Sequence, residues 1–301
     1  MPNIRIAVTG TQGQVARSLI ERGPARDADI IAVGRPALDL ADPRTVEPAI
    51  AALRPDVLVS AAGYTDTERA EAEPEVAHAI NADGASALAR CGAKLGVPII
   101  QLSTDFVFDG TKPAPYQETD PVAPLNSYGR SKLAGELAVA AAQPEHVILR
   151  TSWVYSPFGR NFVKTMLKLA EKQDEVRVVA DQVGNPTAAA DVAEGILTVA
   201  RNLGRGERGD ERYGIFHMAG SGAATWAELA AAVFSFSAEG GGPSARVIPV
   251  KSSEYPMRIR RPANSRLDCT KIASVHGVTL PPWQSSLRTC VERILRQRGS
   301  G

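Results

Sequence analysis

Two side chains that could deliver a proton to a carbonyl oxygen stand four positions apart, Tyr128 and Lys132, in the segment Tyr-Gly-Arg-Ser-Lys. On a helix, positions i and i+4 lie on one face, so the phenol and the ammonium can point into the same pocket. A neighbouring lysine favours the phenolate and lowers the pKa of a tyrosine below its reference value of about 10. The pair therefore predicts an enzyme that reduces a carbonyl group, with the phenol as proton donor.

A glycine turn between the first apolar run and the first helical pattern predicts a dinucleotide site. The glycines allow a tight turn and close backbone approach, and a helix N-terminus offers amide donors and a positive dipole end to a pyrophosphate. The alternative is an ordinary strand-to-helix turn. The residues expected to contact the cofactor here are Gly10, Gln12, Gly13, Gln14 and Val15.

The residue after the second predicted strand bears on which cofactor binds. Arg35 stands where an NAD-binding domain usually carries an acidic residue for the ribose hydroxyls, and arginine favours the extra phosphate of NADPH. NADPH is therefore the predicted cofactor and NADH the alternative, although a merely exposed arginine fits the sequence equally well. Further cofactor contacts are expected from Asp39, Leu40, Ala61, Ala62, Gly63 and Tyr64.

Polar side chains end a later apolar run, in Ser103-Thr104-Asp105. A hydroxyl at that point can hydrogen-bond a substrate carbonyl and shape the proton transfer from Tyr128, and we assign that role to Thr104. Ser103 could instead satisfy local backbone groups. Asp105 could bind a sugar hydroxyl or cap a loop. Asn81 could hold backbone groups, or a water in a proton relay, or simply pack.

These residues need a scaffold, and the first half of the chain predicts one. Short β-branched runs at residues 4–9, 30–33, 57–60, 99–102 and 147–149 alternate with alanine-rich amphipathic segments at 14–22, 43–53, 74–95 and 128–141. This alternation is typical of a doubly wound parallel sheet, with ligands at the carboxyl ends of the strands. We expect a Rossmann-type α/β domain over residues 1–152. A smaller α+β substrate domain is expected over 153–301, with segments that cross back and an exposed linker at 237–244.

Composition excludes several classes of protein. A chain of 301 residues that is 44% hydrophobic can bury a large core, and its 34 basic and 33 acidic residues nearly cancel without a basic cluster. Nucleic acid is therefore not an expected partner. Three dispersed cysteines suggest no disulfide framework, and four dispersed histidines suggest no metal site. Because we find neither a leader segment nor an apolar run of about 18 residues, we expect a cytoplasmic protein without a membrane partner.

The motifs taken together resemble the extended short-chain dehydrogenases and, among them, the dTDP-4-dehydrorhamnose reductases. The glycine turn and the Tyr/Lys pair are common to the superfamily, whereas the C-terminal motifs carry most of the subfamily signal. The resemblance implies reduction of the 4-keto group of dTDP-4-dehydro-6-deoxy-L-mannose to dTDP-L-rhamnose, with hydride from a nicotinamide cofactor. The matching segments lie at residues 9–16, 103–110, 128–132, 150–155, 181–187 and 261–267.

The same resemblance implies roles for individual residues. Tyr128 would be the proton donor, and Lys132 would lower the tyrosine pKa and hold the nicotinamide ribose. Thr104 would contact the reacting oxygen, and Asp105 and Trp153 the sugar. Trp153 could pack flat against a pyranose or belong to the core at the domain seam.

Two further residues are candidates for substrate binding. Arg261 could pair with the diphosphate of the sugar nucleotide or brace the domain interface. Asn161 is a similar, weaker candidate.

The chain also departs from the family pattern. Thr67-Glu68-Arg69 replaces the common Val-Asp-Lys, and Gly63 replaces a frequent alanine. Some relatives dimerise through a metal held by an acidic residue early in the first helix, where this chain has Gln14. A metal-bridged dimer is therefore not expected, and the choice between monomer and homodimer stays open.

Two alternative functions fit the same sequence. One is a reductase of another dTDP-4-keto-6-deoxysugar, which would need the same Thr104, Tyr128 and Lys132. The other is a non-catalytic NADP-binding subunit like the regulatory subunit of methionine adenosyltransferase, which would not need the Tyr/Lys pair.

Overall fold

The structure is a computed structural model, and it describes residues 3–204, 211–256 and 259–299. The strands are β1 (Ile4–Thr9), β2 (Ala28–Val33), β3 (Val57–Ser60), β4 (Ile99–Thr104), β5 (His146–Thr151), β6 (Val154–Tyr155), β7 (Glu175–Val179), β8 (Val183–Gly184), β9 (Thr187–Ala188), β10 (Gly214–His217), β11 (Ala224–Thr225) and β12 (Arg246–Val250). The α-helices are α1 (Gln14–Arg22), α2 (Val46–Ala51), α3 (Arg69–Ala72), α4 (Pro74–His78), α5 (Gly84–Leu95), α6 (Ser127–Ala142), α7 (Phe162–Ala170), α8 (Ala189–Leu203), α9 (Trp226–Glu239), α10 (Thr270–His276) and α11 (Trp283–Gly299).

A six-stranded sheet with the order β10-β5-β4-β3-β1-β2 forms the centre of the fold. Every neighbouring pair in it is parallel. The strand order reverses between β1 and β3, and at such a switch point the carboxyl ends of the strands leave a crevice for ligands. The predicted Rossmann-type α/β fold is therefore confirmed.

Both faces of this sheet are covered by helices, because alternate side chains of the buried strands point to opposite faces. On one face Ile6 and Val8 pack with Leu19 of α1 and Ile196 of α8. On the other face Ala7, Leu58 and Ile99 pack with residues of α2, α5 and α6, namely Ile50, Leu88 and Val139.

A second apolar cluster lies among α7, α9 and α11, and its buried members include Leu167, Val233, Leu287 and Val291. Three two-stranded sheets accompany these helices, β6 with β9, β7 with β12 and β8 with β11. Between them the chain returns to the large sheet, where α8 packs on α1 and β10 pairs with β5. Residues after 153 thus pack both in the cluster of α7, α9 and α11 and against the large sheet.

The structure corrects several predicted elements. The helix expected at 74–95 is interrupted by a π-helical segment, Ala79–Asp83, between α4 and α5. The helix expected at 43–53 starts as a 3₁₀ turn, Pro43–Thr45, where the Asp42 side chain accepts a hydrogen bond from Arg44 N. The expected linker at 237–244 is wrong at its start, because Ser237 is fully buried in α9 and donates to the Pro243 carbonyl. Among the described residues, no helix combines the length and apolarity that crossing a bilayer requires.

Candidate active site

The start of α6 places Tyr128 over the end of β4. The Asn126 side chain caps the helix by accepting a hydrogen bond from Gly129 N at 2.8 Å. A Cβ on Gly129 would lie 2.3 Å from the Phe106 carbonyl oxygen, so only glycine lets the helix approach the turn after β4 this closely. The Phe106 ring then meets the Tyr128 ring edge-to-face, with centroids 5.5 Å apart.

The Lys132 ammonium is buried and donates to the Leu102 carbonyl oxygen at 2.6 Å. Burial lowers the pKa of Lys132 to about 8, and the charge of Glu136, one turn further along α6, opposes that shift. Lys132 is thus held on strand β4 at the carboxyl edge of the sheet.

The expected net result, a Tyr128 pKa below the ordinary value of tyrosine, is wrong for this arrangement. Burial raises the pKa of Tyr128 to about 12, the Thr104 hydroxyl opposes the shift and the charge of Asp105 adds to it. The physical reason is that desolvation of a phenolate outweighs the stabilising contacts that the site provides. Tyr128 therefore keeps its proton at neutral pH, which is the form a proton donor requires.

Thr104 and Asp105 lie beside the phenol, and both are buried. The Thr104 hydroxyl donates to Asp105 Oδ1 at 3.0 Å and accepts from Phe106 N at 3.2 Å. Burial raises the pKa of Asp105 to about 6, partly offset by the hydroxyls of Ser265 and Thr104. Of the alternatives weighed for these residues, a local hydrogen-bonding role is present, and the buried carboxyl also lies next to the predicted proton donor.

The glycine turn has the geometry that a dinucleotide phosphate needs. Gly10 has φ +88°, which favours glycine, and a Cβ there would lie 3.2 Å from Ala62 Cβ. No side chain caps α1 at Gly13, and a Cβ there would meet no atom within 4 Å. Because its first amides lack a protein side-chain acceptor, the N-terminus of α1 suits an anionic group. Gln12 is exposed beside it and Val15 is buried in the core.

The loop after β3 is tied to this turn and, through Asn81, to helix α6. The Thr9 hydroxyl accepts hydrogen bonds from Ala61 N and Ala62 N, both at 3.0 Å. Asn81 Oδ1 accepts from Tyr64 N at 2.8 Å, while its Nδ2 donates to the Tyr64 carbonyl and to Ser131 Oγ. The Asn81 side chain therefore holds backbone groups, one of the roles considered from sequence.

Asn81 also explains the glycine that departs from the family pattern. A Cβ on Gly63 would lie 2.9 Å from Asn81 Oδ1. The loop can therefore approach the π-helical segment this closely because residue 63 has no side chain.

The other predicted cofactor residues lie in the segment that follows β2. Arg35 is exposed, as phosphate contact would require. Asp39 Oδ1 accepts from Ala41 N, so this carboxylate stabilises its own turn. Leu40 is 6% exposed and packs in the core, and a Cβ on Gly84 would lie 2.5 Å from its carbonyl oxygen. The Leu40 side chain thus anchors the segment after β2 to the core.

Gln14, a predicted cofactor residue, and Asn161, a predicted substrate residue, bond to each other. Gln14 Oε1 accepts from Asn161 Nδ2 at 3.0 Å and from Ser156 Oγ at 2.7 Å. Asn161 Oδ1 also caps α7 by accepting from Lys164 N at 3.2 Å. These contacts brace α1 against the segment that follows Trp153. Ser156 was missed because nothing in the sequence pairs it with a residue 142 positions away.

Trp153 lies where the chain leaves the large sheet, and it stacks on a second indole. Its φ of +48° is unusual for a residue with a side chain. The Trp153 and Trp226 rings are parallel within 6°, with centroids 3.5 Å apart. One face of Trp153 is therefore covered, and the packing alternative considered from sequence is realised on that face. Trp226 was missed, since the Thr225 and Glu228 capping box predicts only where its helix starts.

Gly184→Ala should break the indole stack. A Cβ at Gly184 would lie 2.5 Å from Trp153 Cε2, so the ring must move. We expect the paired circular-dichroism bands of opposite sign that come from two coupled indoles to collapse, with a stability loss of about 1–3 kcal/mol. Gly204→Ala is the control, because the nearest atom to a Cβ there is 3.7 Å away. Unchanged bands in Gly184→Ala would show that the ring does not depend on this glycine.

Arg261 borders a cavity of about 430 Å³ on the side of β7 and β12. Its Nε is buried and has no hydrogen-bond partner among the residues that the structure describes. A buried guanidinium nitrogen without an acceptor suits an anionic ligand. The remaining lining residues are Asp181, Gln182, Ser252, Tyr255, Ile259, Arg260 and Ala263.

An ion pair with no predicted role lies beneath Lys132. Arg150 of β5 binds Glu136 of α6 through two nitrogens, Nε to Oε1 at 2.9 Å and Nη2 to Oε2 at 2.7 Å. The Ser103 hydroxyl donates to Glu136 Oε1 at 2.5 Å. The available sequence signal was a charged residue inside a buried strand. Across the described ranges, no three or more His, Cys, Asp or Glu side chains are grouped so that they could hold a metal ion.

Known proteins are similar to this chain over nearly its whole length. A family model described as the RmlD substrate binding domain matches residues 4–296. A dTDP-4-dehydrorhamnose reductase of Sinorhizobium fredii is 51% identical over 293 residues, which are 97% of this chain and 98% of that protein. The crystal structure of a dTDP-4-dehydrorhamnose reductase of Clostridium acetobutylicum has a TM-score of 0.89 at 32% identity, covering 97% of this chain and 100% of that one. The Bacillus anthracis reductase, in complex with NADP, gives 0.88 at 32% identity, covering 99% of this chain and 100% of that one.

Proposed function

The chain belongs to the family of dTDP-4-dehydrorhamnose reductases, and from this membership we infer that it reduces dTDP-4-dehydrorhamnose to dTDP-L-rhamnose with NADPH. The observation that carries the inference is the placement of three side chains at the carboxyl edge of one strand. Thr104 ends β4, Tyr128 packs over the turn that follows, and Lys132 is fixed to the Leu102 carbonyl. A protein that only bound the cofactor would not need this arrangement.

The residues present fit the cofactor. The uncapped N-terminus of α1 and the glycine turn would hold the pyrophosphate, Arg35 would meet the extra phosphate, and Lys132 would hold the nicotinamide ribose. When bound, NADPH supplies the hydride that reduces the keto carbon. NADH in place of NADPH would lose the contact with Arg35.

The proton follows a short path. Tyr128 gives its phenol proton to the keto oxygen as negative charge develops there. The Thr104 hydroxyl, which donates to Asp105 Oδ1 in the free protein, turns to donate a hydrogen bond to the same keto oxygen. Lys132 stabilises the phenolate that remains, because a cation beside an anion lowers the free energy of the charged form. The pKa of about 12 keeps Tyr128 protonated until that step.

The sugar nucleotide would lie between the large sheet and the apolar cluster of α7, α9 and α11. Asp105 would accept from a sugar hydroxyl, and the free side of the Trp153 indole would border the pyranose. Arg261, with its buried unpaired Nε, would bind the diphosphate. Asn161 would act indirectly, because its polar atoms are engaged in the α7 cap and with Gln14. We assign residues 1–152 to cofactor binding and 153–301 mainly to the substrate, with α8 and β10 crossing back.

The proposal is tested by following NADPH oxidation with enzymatically generated dTDP-4-dehydrorhamnose. We expect turnover that yields dTDP-L-rhamnose, identified by the configuration at C4. Turnover with a different C4 product or only with another keto-sugar would favour the first alternative reductase. NADPH binding without turnover of any keto-sugar would favour the regulatory-subunit alternative.

The pH dependence of kcat/KM should be bell-shaped, with limbs near the two shifted pKa values. Asp105 has a raised pKa of about 6 and is ionised only above it, whereas Lys132 has a lowered pKa of about 8 and is protonated only below it. Asp105 is ionised while Lys132 is protonated only between about pH 6 and about pH 8. Tyr128 adds no limb in this range. Initial rates from about pH 5 to about pH 10 measure the limbs. Asp105→Asn should lack the acid limb, and an acid limb that persists in that variant would contradict the assignment.

The proposed reaction also indicates the compartment in which the protein works and the partner that it binds. We propose that the protein works in the cytoplasm, where NADPH and sugar nucleotides are available, with the dTDP-sugar as its partner. The homodimer left open by the sequence is checked by sedimentation of the purified protein.

A further inference from the structure

We propose that Glu136 is a positioning residue for the reduction, and that its carboxylate, oriented by Arg150 and Ser103, keeps Lys132 in the ammonium form that holds cofactor and phenolate. This inference rests on the proposed function. It assigns a task to a buried ion pair that the reaction itself does not require.

The geometry fixes the carboxylate beneath the lysine. Lys132 and Glu136 are i and i+4 neighbours on α6, so their side chains share a face. Both Glu136 oxygens are held, Oε1 by Arg150 Nε and Ser103 Oγ and Oε2 by Arg150 Nη2. Glu136 and Arg150 are each only 2% exposed. The carboxylate cannot turn toward solvent, and its charge remains next to Lys132.

Burying the Glu136 and Arg150 ion pair carries a large desolvation free energy. Removing two charges from water costs several kcal/mol per ion, and apolar residues of the same volume often give equal or greater stability. The pair is therefore weak evidence for a purely structural role. Its position one turn from a buried cation gives it a second effect, because the Glu136 charge raises the pKa of Lys132 against the lowering by burial.

Among the polar and charged groups around Lys132, Glu136 is the one whose charge shifts the pKa of the lysine. From α6 these are Tyr128 and Glu136, and from β4 the Leu102 carbonyl with the polar side chains of Gln101 and Ser103. Arg150 of β5 is bound to Glu136, and Asp105 lies in the turn after β4. Of these charges, Glu136 is the one that shifts the pKa of Lys132.

Arg150 keeps the Glu136 carboxylate from taking the Lys132 protons that the reaction needs. Because Arg150 and Ser103 occupy both oxygens, Glu136 acts on Lys132 through its charge and does not compete for its protons. The Lys132 protons not used by Leu102 stay available for the ribose and the phenolate.

The test compares Glu136→Gln with the wild type across the pH range. The amide has the shape of the carboxyl but no charge, so Lys132 should lose its proton at lower pH. We expect the alkaline limb of kcat/KM to move down by about one pH unit. The pH dependence of NADPH affinity, measured by fluorescence without the sugar, should show the same displacement. Ser103→Ala, which keeps the charge, should leave the limb within about 0.3 units, since only a hydrogen bond is lost.

A double variant covers the case in which Glu136→Gln folds poorly. Glu136→Gln with Arg150→Met removes both buried charges, which restores folding without restoring the charge beside Lys132. Its alkaline limb should still lie about one unit low. A limb at the wild-type pH in the double variant, or in folded Glu136→Gln, would overturn the inference. Absence of turnover in the wild type would instead overturn the proposed function, and the NADPH titration would still test Glu136.

Discussion

Tyr128→Phe protein is expected to lose about 10²–10⁴-fold in kcat while its affinity for NADPH changes less than about threefold. The substitution removes one hydroxyl and keeps the ring that packs edge-to-face on Phe106. Without that proton, the oxygen that receives negative charge must be stabilised by Thr104 alone. The measurements are the single-turnover rate with the keto-sugar and the NADPH dissociation constant from fluorescence.

The matched control is Tyr155→Phe. Tyr155 is a buried tyrosine whose hydroxyl donates to the Trp283 carbonyl at 3.1 Å, within the apolar cluster of α7, α9 and α11. Losing that hydrogen bond should cost about 1 kcal/mol of stability and leave turnover near the wild-type value. If Tyr128→Phe kept wild-type turnover, the proton would have to come from another group and the proposed mechanism would fail.

Arg150→Met is expected to lower the free energy of unfolding by about 3–5 kcal/mol. The change leaves Glu136 buried without its cation, and the Ser103 hydroxyl alone cannot replace two charge-assisted hydrogen bonds. Urea denaturation followed by tryptophan fluorescence measures the loss.

Arg246→Met provides the comparison for that loss. Arg246 also pairs with a glutamate, Glu175, but their side chains are 69% and 53% exposed. An exposed pair contributes about 0–1 kcal/mol, because water screens it and two long side chains must be ordered. Equal losses of unfolding free energy in the two variants would mean that water screens the Glu136 and Arg150 pair, which would contradict the expected large effect of its burial.

The elements that carry the site could be predicted from sequence because each has a local signal. Residues 4–9, 14–22 and 57–60 were predicted with the bounds that the structure has. Glycine at 10, where φ is positive, and the Tyr128 and Lys132 spacing on a helix are likewise local features. For these, hydrophobic period and turn chemistry are sufficient.

What sequence reasoning missed depends on contacts between distant parts of the chain. The stack of Trp153 on Trp226 joins residues 73 positions apart, and the Gln14 contact with Asn161 spans 147. The wrong direction for the pKa of Tyr128 has the same origin. Spacing on a helix shows which groups are neighbours, but not how much water the surrounding chain excludes, and here desolvation dominates.

The π-helical segment at Ala79–Asp83 makes this part of the chain sensitive to the deletion of a single residue. A π turn is an α-helical turn with one residue inserted, and here the inserted register presents Asn81 to both Tyr64 and Ser131. Deleting a single residue from the segment would restore a continuous α-helix and remove the widened turn that presents Asn81. The amide would then face away from the loop after β3. A gain or loss of one residue in most surface loops is tolerated, but here it would separate the Asn81 side chain from Tyr64 and Ser131.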